Sequence, residues 1–181
     1  ELNGLAKVDP KNLVMAMRGG YGIHRLLPDI DWNAIAKAVK DGLQICGHSD
    51  FTVFELALLA KTGAVTLSGP MLNYDFGRLD EHGKALAPDP FMWRHFLSAT
   101  QERKLDCQIQ SPQSFLGEVS AGSIAGLLWG GNLTVIASLV GTCYLPSSAQ
   151  TKGGILFLED VNEHPYRLER MMMQLLDAGI L

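Results

Sequence analysis

Ser49 is the residue whose surroundings predict the most specific chemistry. It lies in LQICGHSDFTVFELALL, residues 43–59, where a short apolar run is followed by a tight turn and a helical pattern. A strand, turn and helix in this order lift a serine hydroxyl from the sheet edge to a helix N-terminus, where free backbone N–H groups favour developing negative charge. The G-x-S-x-G form of this motif is half met, because Phe51 stands where its second glycine belongs. The segment therefore predicts a nucleophile, with a simple helix cap at Ser49 as the alternative.

An acidic pair supplies a second candidate group. Glu159 and Asp160 end the apolar run of GGILFLEDVNEHPYR, residues 153–167. Parallel α/β folds place ligands and catalytic groups at such strand ends, and a carboxylate there can orient a histidine that acts as base for a serine. The alternative is a solvated strand end before the helix-start cluster at 162–165.

Two glycine-containing turns could complete a site. RGGYG, residues 18–22, lacks the spacing of nucleotide-binding loops, but the backbone N–H of Gly20 could approach a reacting carbonyl oxygen. A plain turn is equally consistent with this sequence. WGGN, residues 129–132, offers Trp129 and Asn132 as substrate contacts, although an aromatic residue beside two glycines more often packs in a core. Arg167 is a further substrate-binding candidate because of its charge.

The elements that must position these residues form an alternating pattern. Apolar β-rich runs alternate with helical periodicities, which predicts a layered α/β fold with a mostly parallel sheet flanked by helices. The last helix, from Pro165, should bury a stripe of Leu168, Met171, Met172, Leu175 and Leu176. Predicted strands cover 13–17, 43–46, 64–67, 105–109 and 153–161; predicted helices cover 30–39, 50–61, 90–101 and 133–140; a short strand and a Gly-Gly turn precede the helix at 133, a surface loop covers 77–90, and a β-hairpin covers 111–126.

Composition narrows the class of partner. The 181 residues are 47% hydrophobic and 19% charged, which excludes a disordered or fibrous chain. Lys plus Arg is 15 against 19 for Asp plus Glu, and this acidic balance favours a small molecule or peptide over nucleic acid or an anionic membrane. Three cysteines and five histidines without ligand spacing predict no metal and no disulfide framework. Without a membrane span or signal peptide in the sequence given, a reducing cytoplasm is expected.

Several motifs in one order resemble a known family. RGGYG, CGHSDFT at 46–52, SGPML at 68–72, LWGGNLT at 128–134 and ILFLEDVNEHPYRLERM at 155–171 are similar to the LD-carboxypeptidases, the muramoyltetrapeptide carboxypeptidases. The resemblance implies a cytoplasmic, homodimeric serine peptidase of peptidoglycan recycling that needs no metal or cofactor. It removes the terminal D-alanine from murein tetrapeptide through a Ser-Glu-His triad. By motif, Ser49 matches the nucleophile, Glu159 the triad acid, and the backbone N–H groups of Gly20 and Asp50 the oxyanion hole.

The sequence departs from that family in one member of the triad. No histidine lies in a matching motif, and the family's catalytic histidine belongs to a segment downstream of Leu181. We therefore expect a partial chain that also lacks the family's first strands and is inactive alone. Residues 1–150 are interpreted as the nucleophile-bearing α/β domain and 151–181 as the start of the C-terminal domain. Two alternatives stay open: an amide hydrolase of the microcin-immunity type within the same family, and a non-catalytic α/β binding module.

Overall fold

The part of the chain that the structure describes forms two parallel sheets with helices packed around them. The structure, a computed structural model, describes residues 2–108 and 122–181. In the first sheet, β1 (Leu13–Met15), β2 (Gln44–Gly47) and β3 (Leu67–Ser68) lie in the order β1-β2-β3. In the second, β4 (Leu128–Asn132) pairs in parallel with β5 (Ile155–Glu159), so that Asn132 stands opposite Glu159. The predicted α/β class with parallel strands and flanking helices is confirmed.

The helices begin and end at residues that local chemistry favours. Asp31 caps the first helix through a bond from the backbone N–H of Ala34, and Asp89 caps the third before Pro90. Gly63 ends the second in the left-handed conformation that glycine adopts without a steric cost. The α-helices are α1 (Trp32–Asp41), α2 (Thr52–Thr62), α3 (Pro90–Leu97), α4 (Leu133–Leu139), α5 (Ser148–Thr151) and α6 (Pro165–Asp177), with 3₁₀ segments at Leu2–Lys7, Ile23–Asp29 and Ser49–Phe51 and π-helical turns at Leu72–Phe76 and Ser98–Glu102.

Helix α2 is the centre of the core. Every residue from 52 to 59 is buried, because α2 contacts α1 as well as β4 and α4 of the second sheet. A helix that is apolar almost all round needs such cover on all sides. The fully buried side chains of the core around and on α2 come from both halves of the chain: Leu27, Ile35, Phe54, Leu58, Ile136, Leu139 and Leu175.

Several sequence predictions are wrong in detail. Gly130 and Gly131 do not form a turn; they lie inside β4, which runs so close to β5 that a Cβ at Gly130 would be 1.9 Å from the Phe157 carbonyl oxygen. The third strand begins at Leu67 rather than at 64, because only two residues pair with β2. Leu176 is 51% exposed and leaves the buried stripe of α6, since α4 covers only one side of that helix.

The prediction of a strand at 105–109 also fails where it can be tested. Residues 104–108 have no regular structure, and 109 lies outside the described residues. Most of the hairpin predicted at 111–126 falls outside them too, and residues 122–126 form no strand. The loop predicted at 77–90 is exposed over nearly its whole length. Across the described residues, every helix is too short or too polar to span a bilayer.

Candidate active site

Ser49 lies in a strained turn between β2 and α2. Its φ of 58° falls in the left-handed region, which a residue with a side chain adopts at a cost of about 1–3 kcal/mol. Such strain persists only where the surroundings impose it, and it is common at functional turns. The 3₁₀ segment that starts at Ser49 continues directly into α2, so the half-buried serine and the backbone N–H of Asp50 stand at the start of a helical segment.

Gly47 and Phe51 explain why the turn differs from the common motif. A Cβ at Gly47 would lie 2.5 Å from Cδ1 of Phe51 and 3.0 Å from Cβ of Ala16. The Phe51 ring therefore folds back against the end of β2, where it is 7% exposed and stacks on Phe54 at 5.1 Å between ring centres. The residue that stands in place of the second glycine anchors the turn to the core.

The glycine turn after β1 lies against the serine. A Cβ at Gly19 would be 3.1 Å from Ser49 Oγ and 3.2 Å from the backbone nitrogen of Asp50. A side chain at this position would force Ser49 or the Asp50 backbone to shift by a few tenths of an ångström, so glycine suits this close approach of the two backbones. Gly20, the residue favoured by sequence, follows Gly19 and has open space on its side-chain face. The structure thus brings the RGGYG turn to Ser49 and adds Gly19 as the residue in closest approach.

Glu159 is held at the end of β5 by its partner on β4. Asn132 Nδ2 donates a hydrogen bond to Glu159 Oε1 at 3.2 Å, and Asn132 Oδ1 accepts one from the backbone N–H of Val135 at 3.1 Å. The second bond caps α4, so the amide is oriented by the helix start. Asn132, predicted as a substrate contact, therefore holds the half-buried carboxylate of Glu159 in this structure.

A buried threonine joins the serine's helix to this strand end. Thr52, the first residue of α2, is completely buried, and its Oγ1 accepts a hydrogen bond from the backbone N–H of Asn132 at 3.1 Å. A Cβ at Gly131 would lie 2.4 Å from that oxygen. Sequence reasoning missed Thr52, because nothing in its local pattern distinguishes it from an ordinary helix-start residue.

Ser49 and Glu159 line one cavity of about 360 Å³. Residues at the carboxyl ends of β2 and β5 line it, and strand ends of this kind are where parallel α/β folds bind ligands. Its walls are His48, Ser49, Thr52, Ser68, Gly69, Pro70, Asp75, Met92, Gly131, Phe157 and Glu159. The two residues that sequence reasoning selected for catalysis, 110 positions apart in the chain, are thus neighbours of the same space.

Two other predicted contacts do not line this cavity. Trp129 is 5% exposed and packs in the hydrophobic core, which was the alternative interpretation of its position. Arg167 lies at the start of α6 and pairs with Glu163 one turn earlier. Neither side chain is among those that face Ser49 in the described part of the chain.

His48 is the one histidine that lines the cavity among residues 2–108 and 122–181. Its Nδ1 lies 2.8 Å from the carbonyl oxygen of Gly69, and because a carbonyl only accepts, Nδ1 carries the proton and donates. Its ring is therefore oriented by the residue that directly follows β3, and it forms no hydrogen bond with Ser49 in the structure.

A buried carboxyl and a buried thiol lie behind the cavity. Glu55 on α2 is 6% exposed; its Oε1 accepts a hydrogen bond from Thr66 Oγ1 at 3.3 Å, and its Oε2 has no partner in the described residues. Burial raises the pKa of Glu55 from 4.5 to about 8, because the charged form loses water. Burial, with Glu55 and Asp75 nearby, raises the pKa of the Cys46 thiol to about 12. Cys46 is therefore an uncharged neighbour of the site at neutral pH.

Comparison with known proteins agrees with this arrangement. Residues 1–69 match the model of the LD-carboxypeptidase N-terminal domain, and residues 125–181 match that of the LD-carboxypeptidase C-terminal domain. The chain therefore belongs to the LD-carboxypeptidase family. The second match begins at 125, so it includes β4 as well as β5.

Individual relatives point the same way. The chain is 34% identical over 181 residues to a probable murein peptide carboxypeptidase of Bacillus subtilis, covering 100% of this chain and 52% of the relative. Its structure is similar to that of muramoyltetrapeptide carboxypeptidase from Oxalobacter formigenes, with a TM-score of 0.72, 44% identity and coverage of 97% and 54%. It is also 26% identical over 192 residues to the microcin C7 self-immunity protein MccF of Escherichia coli, with coverage of 97% and 54%. The chain spans about half the length of these relatives.

Proposed function

We propose that this chain forms part of a serine carboxypeptidase that removes the terminal D-alanine of murein tetrapeptide. The observation that carries the proposal is the shared cavity, which Ser49 enters from a strained turn and Glu159 from the end of β5. The names of the relatives in Bacillus and Oxalobacter support a murein peptide as substrate. Among the described residues that line the cavity, Ser49 is the one that combines a hydroxyl, a strained turn and a helix start.

The chemistry follows from the positions of these groups. Ser49 Oγ attacks the carbonyl carbon before the terminal D-alanine, and a histidine takes the hydroxyl proton as the C–O bond forms. The backbone N–H groups of Asp50 and Gly20 stabilise the oxyanion, for which Gly19 leaves room. The C–N bond then breaks, the histidine returns the proton to the leaving amine of D-alanine, and water hydrolyses the acyl-enzyme. Glu159 orients the histidine and stabilises its charged form.

The histidine of this triad comes, in our proposal, from outside the 181 residues. His48 is the local candidate, but its Nδ1 already donates its hydrogen to the carbonyl oxygen of Gly69. That nitrogen therefore has no N–H left to donate to Glu159. A serine without its base is a weak nucleophile. We therefore expect the 181-residue chain alone to be inactive, and all activity tests use the full-length protein that contains it.

A pair of matched substitutions tests the proposal. Release of D-alanine from murein tetrapeptide is measured by mass spectrometry for the full-length protein, its Ser49→Ala variant and a Ser138→Ala control, whose serine lies exposed on α4. We expect Ser49→Ala to reduce kcat by at least about 10³-fold, and Ser138→Ala to leave it unchanged. Undiminished release by Ser49→Ala would contradict the assignment of the nucleophile.

The two other interpretations are separated by further measurements. Greater turnover of a peptidyl-nucleotide amide than of murein tetrapeptide would favour an amide hydrolase similar to the immunity protein. A serine-directed phosphonate that fails to label Ser49 in the full-length protein would favour a non-catalytic binding module, in which Ser49 only starts a helical segment.

We extend the proposal to a cytoplasmic homodimer with two units, residues 1–150 and the beginning of a second domain at 151–181. The resemblance of the motifs supports these points. Light scattering coupled to size exclusion would test the dimer, and fractionation of cells that produce the full-length protein would test the compartment.

A further inference from the structure

Thr52 connects the two halves of the candidate site, and it is not a member of the proposed triad. Its side chain is completely buried at the start of α2, three residues after Ser49. Its Oγ1 accepts the backbone N–H of Asn132, the last residue of β4, at 3.1 Å. A fully buried hydroxyl contributes mainly through the hydrogen bond it makes, because its partner would otherwise be left unpaired.

Asn132 connects Thr52 to Glu159 through hydrogen bonds. Asn132 gives its backbone N–H to Thr52 and its Nδ2 to Glu159 Oε1, while Val135 holds its Oδ1. The backbone N–H and both side-chain polar atoms of Asn132 are thus hydrogen-bonded at the same time. The side-chain amide cannot rotate without losing one of these bonds. The position of Glu159 therefore depends on where Thr52 holds the end of β4.

The fit between α2 and β4 leaves little freedom for another arrangement. An ideal Cβ at Gly131 would lie 2.4 Å from Thr52 Oγ1 and 2.7 Å from its Cγ2. The threonine occupies the space that a side chain at 131 would need, so its methyl and its hydroxyl both face the backbone of β4. Removal of the hydroxyl would deprive the N–H of Asn132 of the acceptor it has in the structure.

We infer that Thr52 is a positioning residue, which sets the distance between Ser49 and Glu159 by holding the end of β4 against the first turn of α2. The inference rests on the proposed function of this site. An error of about 1 Å in such an alignment can cost about 10²-fold in rate without preventing substrate binding. Thr52 should therefore affect turnover more than affinity.

The experiment compares hydroxyl and methyl at this position in the full-length protein. Thr52→Val keeps the shape and removes the acceptor, Thr52→Ser keeps the acceptor, and Thr52→Ala removes the hydroxyl without adding a methyl beside Gly131. Thr62→Val is the matched control, because Thr62 Oγ1 also makes a partly buried hydrogen bond at the far end of the same helix. It donates to the carbonyl oxygen of Leu58. The rate of D-alanine release gives kcat and KM separately. Each kcat is divided by the fraction of protein whose Ser49 a serine-directed phosphonate labels, so that unfolded protein does not count.

We expect Thr52→Val and Thr52→Ala to lower kcat about 10-fold or more with KM within about twofold, and Thr52→Ser to stay within about threefold of the unmutated protein. Thr62→Val should change thermal stability but not kcat per labelled serine. Unchanged kcat in both Thr52→Val and Thr52→Ala, or an equal loss in Thr62→Val, would overturn the inference alone. Absence of release by the unmutated protein would instead overturn the proposed function, and the positioning role with it. A variant that does not fold is replaced in the comparison by the other hydroxyl-free variant.

Discussion

The turn that carries Ser49 and the strand end that carries Glu159 are held by different interactions. Around Ser49, the contacts are apolar and steric: Phe51 packs on Phe54 and against Gly47, and Gly19 touches the serine itself. Around Glu159, a single short strand pair is supplemented by hydrogen bonds through Asn132. Packing tolerates little change in volume, whereas the loss of one hydrogen bond costs less free energy of unfolding. The two regions should therefore respond differently to substitution.

The largest expected effect tests the packing of the serine turn. Gly47→Ala places a Cβ 2.5 Å from the Phe51 ring, and because Ala16 closes the other side, we expect a loss of about 3 kcal/mol in the free energy of unfolding. Urea denaturation would measure it. Gly4→Ala is the control, since no atom lies within 4 Å of a Cβ there. Equal stability of the two variants would show that the turn is not held by packing.

A smaller effect concerns Glu55, a buried carboxyl on α2. Glu55 binds a proton more tightly in the folded chain, with a pKa of about 8 against 4.5, so its stabilising contribution is complete below about pH 4.5 and is lost as the pH rises to about 8. Glu55→Gln stays neutral and keeps an acceptor for Thr66. We expect it to stabilise the protein by about 2 kcal/mol at pH 8 and very little at pH 5.

Melting temperatures across this pH range would check the prediction for Glu55. Glu81→Gln provides the comparison, because its carboxylate is 85% exposed. If the two variants showed the same pH dependence, the buried carboxyl would not be the source of the effect.

The smallest expected effect tests the hydrogen-bonded strand end. Asn132→Ala removes the cap of α4 and the bond to Glu159, which should cost about 1 kcal/mol of stability. Because the backbone N–H of residue 132 still reaches Thr52, the fold should persist. Urea denaturation beside Asn33→Ala, an exposed position on α1, would measure it. A loss as large as that of Gly47→Ala would mean that the two regions are not held differently.

The elements that the sequence predicts correctly are those whose formation depends on residues close together in the chain. Helix α2 is predictable because it is apolar almost all round, and α6 because Pro165 starts a helical period. The errors have non-local causes. Gly130 and Gly131 suggest a turn in isolation, yet they stand in a strand because Phe157 and Thr52 leave no room for side chains beside them.

The fold class, the family and the two candidate catalytic residues can be read from the sequence, because each depends on the order of neighbouring residues in short motifs. The tertiary structure alone decided that Ser49 and Glu159 share a cavity, that Phe51 replaces a glycine by packing on Gly47, and that Thr52 bonds to Asn132. Residues 52 and 132 are 80 positions apart, and their contact depends on how closely α2 approaches β4. That distance results from the packing of the whole core, which no local pattern records.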